Sequence, residues 1–193
     1  MALSPVALSL AALSVAGVTP AVAAAPDSRS ASPSSAALNA RAQADEGPRL
    51  LGKFGEWGAY TANPKAGKVC FILGKPTKSA TVPPGRNRDP AMLYVSTRPK
   101  EKVKEEVSVD IGYPFQAGSD ATAAVGPASF AMYTDKEGAF IKNPAEEARL
   151  VDAMRKGSDL VVSGTSSHGT KTTDTFSLKG ISQALSKIAA ECR

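Results

Sequence analysis

Short runs of β-branched and aromatic residues recur along the chain between clusters of Gly, Pro, Asn and Asp, and this spacing constrains the fold more than any other feature. Eight runs stand out: Glu56 to Tyr60, Lys68 to Leu73, Met92 to Thr97, Glu106 to Ile111, Ser129 to Tyr133, Ala139 to Lys142, Leu160 to Thr165 and Thr172 to Leu178. That many short strands predict a mainly β fold, an antiparallel sandwich. Val107, Val109 and Ile111 alternate with Ser108 and Asp110, the period-two pattern of a strand with one buried and one wet face. Val69 to Leu73 is apolar throughout, which predicts an interior strand.

Two short helices interrupt the β pattern. Asn143-Pro144-Ala145-Glu146 supplies a capping side chain, a proline at the first helical position and a carboxylate able to reach back to the cap. This helix is expected to run to Lys156, with Leu150, Val151 and Met154 inward and Gly157 as a left-handed stop. In the second helix, at the C-terminus, Ile181, Ala184, Leu185, Ile188 and Cys192 share one apolar stripe.

The first twenty-six residues carry no charge, and the apolar run Val6 to Val18 ends in the small residues Ala21-Val22-Ala23-Ala24. This predicts a secretory signal peptide over residues 1–24, although its start lacks the usual Lys or Arg. No twin arginine and no lipid-accepting cysteine accompany it, so the mature chain is expected to have no transmembrane segment. Residues 25–50, rich in Ala, Ser and Pro, are expected to form a flexible leader, and residues 51–193 a single domain.

Export sets the chemistry of the two cysteines. In an oxidising compartment they are expected to pair: Cys192 lies on a stripe that must face the core, and Cys70 lies in an apolar strand. The absence of a Cys-x-x-Cys spacing argues against a redox role.

The net charge of +5 is unevenly distributed. Between Lys65 and Lys104 there are ten Lys or Arg against Asp89 and Glu101, a local balance of +8, whereas the chain from Glu105 onward is net −3. A clustered positive potential attracts anionic partners such as phosphorylated headgroups or acidic polysaccharide. Within that region, Lys75 to Pro90 reads as a long basic loop stiffened by Pro76, Pro83, Pro84 and Pro90. Lys75, Lys78, Arg86 and Arg88 are the candidate binding residues. No nucleic-acid motif is present.

Catalytic signals are weak. Gly164-Thr165-Ser166-Ser167-His168-Gly169 holds the sole histidine, and a periplasmic hydrolase using Ser166, Ser167 and His168 is the enzymatic alternative. A nucleophile elbow needs glycine where His168 stands and a following helix, whereas a β run follows here, so Ser167 to Thr170 reads as a hairpin tip. One histidine and two paired cysteines cannot build a tetrahedral zinc site. The acidic pairs Glu105 with Glu106, Asp135 with Glu137 and Glu146 with Glu147 read as surface charges, and no dinucleotide or phosphate loop implies a cofactor. Trp57 reads as a core residue.

The segments Gly55-Glu56-Trp57, Val69-Cys70-Phe71, Val95-Ser96-Thr97-Arg98-Pro99, Val107 to Phe115, Ala139 to Asn143 and Met154 to Gly180 together resemble the invasion-associated locus B family of bacterial secreted proteins. The resemblance covers nearly the whole domain. It implies an immunoglobulin-like sandwich exported to the periplasm or cell surface, some members linked to host-cell entry, with no catalytic residues to carry over. Many members hold a cysteine soon after the tryptophan; this chain has none before Cys70. The expected function is therefore non-enzymatic: an envelope or cell-surface protein that binds an anionic envelope or extracellular component. A purely structural envelope role is the other alternative.

Overall fold

Alternation of buried and outward side chains runs through most strands of the computed structural model, which describes residues 47–193. The signal peptide expected over residues 1–24 and the leader up to residue 46 lie outside the described residues. The strands are β1 (Arg49–Phe54), β2 (Trp57–Ala62), β3 (Val69–Gly74), β4 (Lys78–Val82), β5 (Met92–Arg98), β6 (Val103–Asp110), β7 (Ala121–Val125), β8 (Ala128–Asp135), β9 (Gly138–Ile141), β10 (Asp159–Thr165) and β11 (Lys171–Ser177). Helix α1 (Glu147–Lys156) precedes β10, and α2 (Ile181–Glu191) closes the chain.

All pairings between these strands are antiparallel, in the order β1-β2-β3-β5-β6-β9-β8-β7-β10-β11-β4. One apolar cluster draws on both ends of that order, from Trp57, Ile72 and Leu93 to Leu160, Val162 and Phe176. The two layers of the expected sandwich are thus halves of one continuous sheet curled around a common core.

The expected strands and helices are present, and three further strands join them. β4 is an exposed edge with no apolar face, so periodicity carries no trace of it. β7 buries only Ala121, Ala123 and Val125, two alanines with weak strand preference and a single β-branched residue. β1 begins at Arg49, two residues inside the stretch read as leader, and carries a register shift between Leu50 and Gly52.

Two local expectations need correction. The first turn before α1, Pro144–Glu146, is a 3-10 turn. Asn143 Oδ1 accepts from the Ala145 amide at 3.1 Å, while the Glu146 carboxylate turns away to Arg149 at 3.2 Å instead of reaching back. Gly157 has φ −85°, outside the left-handed region. Glycine serves there because a Cβ would press on Val125 and stand 3.2 Å from Leu178 Cδ1.

Helix α2 packs on β1, β2 and β3, with Ile181, Ala184, Leu185 and Ile188 buried. Cys192, just beyond it, is bonded to Cys70 on β3, with Cα atoms 5.9 Å apart across 122 positions of sequence. Lys68 Nζ donates to the Glu191 carboxylate at 2.8 Å and to its carbonyl at 2.7 Å. That hydrogen bond is the main cause holding the Glu191 carboxyl below its ordinary value. Gly180 opens the helix at φ 90°, and a Cβ there would collide with the Phe54 carbonyl, so the β1–β2 turn and the helix start can meet only through glycine. Trp57 is in the core, its indole donating to the Ser177 carbonyl at 2.9 Å.

Candidate functional site: a cleft beside the basic segment

The segment read as one basic loop divides in three, with Lys75 in the short link between β3 and β4. Lys78–Val82 pairs with β11 as strand β4, and only the stretch from Pro83 to Ala91 is a true connection to β5. Its far end is pinned where the Asp89 amide donates to the Gly112 carbonyl at 3.1 Å.

The four candidate cations separate accordingly. Arg88 is not an exposed loop charge: its side chain is 11% exposed and its guanidinium turns inward. Nη1 donates to the Ile111 carbonyl at 2.8 Å, Nη2 pairs with Asp174 Oδ1, and the Tyr113 ring centroid lies 5.8 Å away. Asp174, fully buried on β11, also accepts from Ser79 Oγ on β4 at 2.6 Å. The sequence offered no sign of this, because partners 86 positions apart meet only when β4 and β11 pair. Tyr113 and Thr172 hydroxyls share a hydrogen bond of 2.6 Å nearby. Burial, above all, raises the Tyr113 phenol beyond its ordinary value and keeps it protonated.

Lys75, Lys78 and Arg86 are exposed, and among the described residues none of them is in a salt bridge. Ser79 shares the face of Asp174, its register partner, so Lys78 stands on the opposite face of β4. Lys75 and Arg86 border one cleft of about 700 Å³. Arg86 also borders a second, of about 630 Å³, whose other wall is the β10–β11 tip with Ser167 and His168. The basic segment and the Ser-Ser-His turn, remote in sequence, are therefore two sides of one hollow floored by Tyr113 and Thr172.

This turn has the hairpin-tip geometry expected for Ser167 to Thr170. Ser166 Oγ accepts from the His168 amide at 3.3 Å and the Thr170 amide at 3.2 Å, which closes the turn. Ser167 N donates to the Pro114 carbonyl at 2.8 Å. Among the described residues no serine hydroxyl is hydrogen-bonded to the His168 imidazole, and no group of three His, Cys, Asp or Glu is placed to hold a metal. Two of the carboxylate pairs are likewise engaged elsewhere: Glu105 meets Arg155 at 2.6 Å, Glu106 meets Arg98 at 3.1 Å, and Glu147 accepts from the Val107 amide.

The description "Invasion associated locus B (IalB) protein" matches residues 57–189, from β2 almost to the end of α2 and across the whole cleft. The chain belongs to the invasion-associated locus B family. No curated protein and no solved structure matches it. Members of the invasion-associated locus B family are exported, and theirs is not an established enzyme family. The Cys70–Cys192 bond suits an oxidising compartment, and among the described residues no helix is long and apolar enough to cross a membrane. Both cleft walls lie within the matched residues, whereas β1 and Cys192 lie outside them.

Proposed function

We propose that this invasion-associated locus B protein is a non-enzymatic binding module of the cell envelope or surface, holding an anionic partner at the cleft rim formed by Lys75 and Arg86, with Lys78 close by on the same edge. The observation that carries this reading is the contrast between Arg88, consumed by Asp174, and the three cations that no acid among the described residues pairs with. Unpaired cations beside a hollow rich in hydroxyl groups offer both attraction and directional hydrogen bonds to an acidic sugar or a phosphate. Against the hydrolase reading stands Ser166, whose oxygen already accepts two amides, beside an exposed histidine.

The test is binding to an immobilised acidic polysaccharide and to vesicles containing anionic phospholipid. Replacing Lys75, Lys78 and Arg86 together with glutamine should weaken binding and flatten its salt response while the melting temperature stays unchanged. Attraction should fade in the parent as the Debye length shortens from about 30 Å at 0.01 M salt to about 8 Å at 0.15 M. Equal binding with an equal salt response in parent and variant would replace this reading with a structural envelope role. Hydrolytic activity lost on His168→Ala would replace it with the enzymatic one.

A further inference from the structure

The outward face of the first half of the sheet is aromatic where an exposed sheet face is ordinarily polar. β3, expected to be interior, turns Val69, Phe71 and Leu73 outward and half-buried. The register sets Tyr60 opposite Phe71 and aligns Leu73, Tyr94, Ser108, Phe140 and Tyr133 in one row across β3, β5, β6, β9 and β8. Ring centroids are 5.2 Å apart for Tyr60 and Phe71, 6.2 Å for Phe71 and Tyr94, and 5.4 Å for Tyr133 and Phe140. Five of the chain's eleven aromatic side chains thus avoid the core, and Tyr133 is 47% exposed.

Glycines shape this surface. A Cβ at Gly58 would stand 2.6 Å from the Tyr60 ring, and one at Gly138 would stand 2.9 Å from the Phe140 ring. Each ring leans back along its own strand into the space its glycine leaves, so the stripe is held in place before any partner arrives.

The stripe is long and narrow. Six strands from β2 to β8 span about 24 Å, and two rows of side chains are about 14 Å deep. That footprint is under half of the roughly 800 Å² per partner that a stable protein interface needs, which disfavours a second copy of the chain. An extended polymer lying across the strands fits it. The flanking charges narrow the choice: Asp110 and Asp135 lie on one side, neither in a salt bridge among the described residues, and Glu106 on the other is already held by Arg98. Of the cations on this face, Lys53, opposite Gly58, stands at the β1 end, Arg98 is held by Glu106, and Lys142, two residues after Phe140, is held by Asp120. Asp110 and Asp135 disfavour an anionic polymer at the β6 to β8 end, whereas carboxylates and the hydroxyls of Ser96, Ser108 and Tyr94 are suited to a neutral, hydroxyl-rich chain.

We propose that this aromatic stripe binds an extended, uncharged linear glycan, whose sugar rings pack their C–H faces on Tyr60, Phe71, Tyr94, Phe140 and Tyr133. Its hydroxyl groups donate to the flanking carboxylates. The site is separate from the basic cleft, so the two proposals stand or fall independently.

The experiment titrates the folded protein with N-acetylglucosamine hexamer and with cellohexaose. Saturable binding of at least one is expected, with clearly weaker binding of the matching dimer, which covers only part of the row. Tyr133→Ala and Tyr94→Leu, the second retaining apolar bulk so that the sheet still packs, should each weaken it by about 2- to 12-fold. Replacing Lys75, Lys78 and Arg86 with glutamine should leave it unchanged. No saturable binding of either hexamer, or binding indifferent to both stripe variants, overturns the proposal. So does a dimer in sedimentation that Tyr133→Ala dissociates, or tight binding of an oligoarginine peptide in place of the glycans.

Discussion

Replacing Arg88 with alanine should destabilise this protein far more than a loop arginine ordinarily does. Among the described residues the guanidinium is the only salt-bridge partner of Asp174, a carboxylate with no exposed surface, and its other donor bond satisfies the Ile111 carbonyl at 2.8 Å. Breaking a buried ion pair by deleting one member leaves an uncompensated charge and costs about 3–5 kcal/mol. Ser79 alone cannot neutralise that charge. In a domain of this size each kcal/mol moves the melting temperature by about 3 °C, so a fall of about 9–15 °C is expected. Thermal and urea unfolding followed by circular dichroism give two independent measures. Arg88→Met combined with Asp174→Leu should recover most of the loss, since an apolar pair of similar volume has no charge to strand. An Arg88→Ala protein within about 2 °C of the parent, or a double variant less stable than the single one, would refute the argument. Arg88 therefore has no place in a binding test by charge removal: its loss would be read as lost affinity when it is lost fold.

Replacing both Cys70 and Cys192 with serine should lower stability by up to about 5 kcal/mol, the chain-entropy value for a crosslink spanning 122 positions, with release of α2 visible as new amide exchange along β1 to β3. Glu147 has its carboxyl pushed up, first by burial, with the Val107 amide opposing the shift. The folded state then holds its proton more tightly than the unfolded chain, so its contribution is greatest below the ordinary carboxylate value and declines as pH rises through the raised one. Glu147→Gln, which keeps an acceptor for Val107, should flatten that part of the stability profile, from the ordinary carboxylate range upward, measured by urea unfolding; an unchanged slope argues against it.

How far the sequence was legible followed from the kind of signal each element carries. β6 is readable because Val107, Val109 and Ile111 repeat at the period of a strand, and α2 because its apolar stripe repeats at the period of a helix. β4 shows no such period, since an exposed edge strand is held by its backbone to β11 and by little else. The stripe left a trace that went unused: Tyr60, Phe71 and Tyr94 sit at positions alternating with Ala59, Ile72 and Val95, where a wet face calls for polar residues.

Local periodicity, composition and the placing of two cysteines on apolar faces determined the class of fold, the two helices and the Cys70–Cys192 pair, because each depends on neighbours along the chain and on the need to bury apolar surface. Tertiary structure alone decided which charges are free. Lys75, Arg86 and Arg88 are alike as residues in one basic run, but the pairing of β4 with β11 brings Asp174 to Arg88 and, among the described residues, no acid to the other two. It likewise decided that the Ser167–His168 tip faces Arg86, and that rings from five strands line up on one surface. Register and long-range pairing arise from the closure of the whole sheet on its core, a condition no short window of sequence contains.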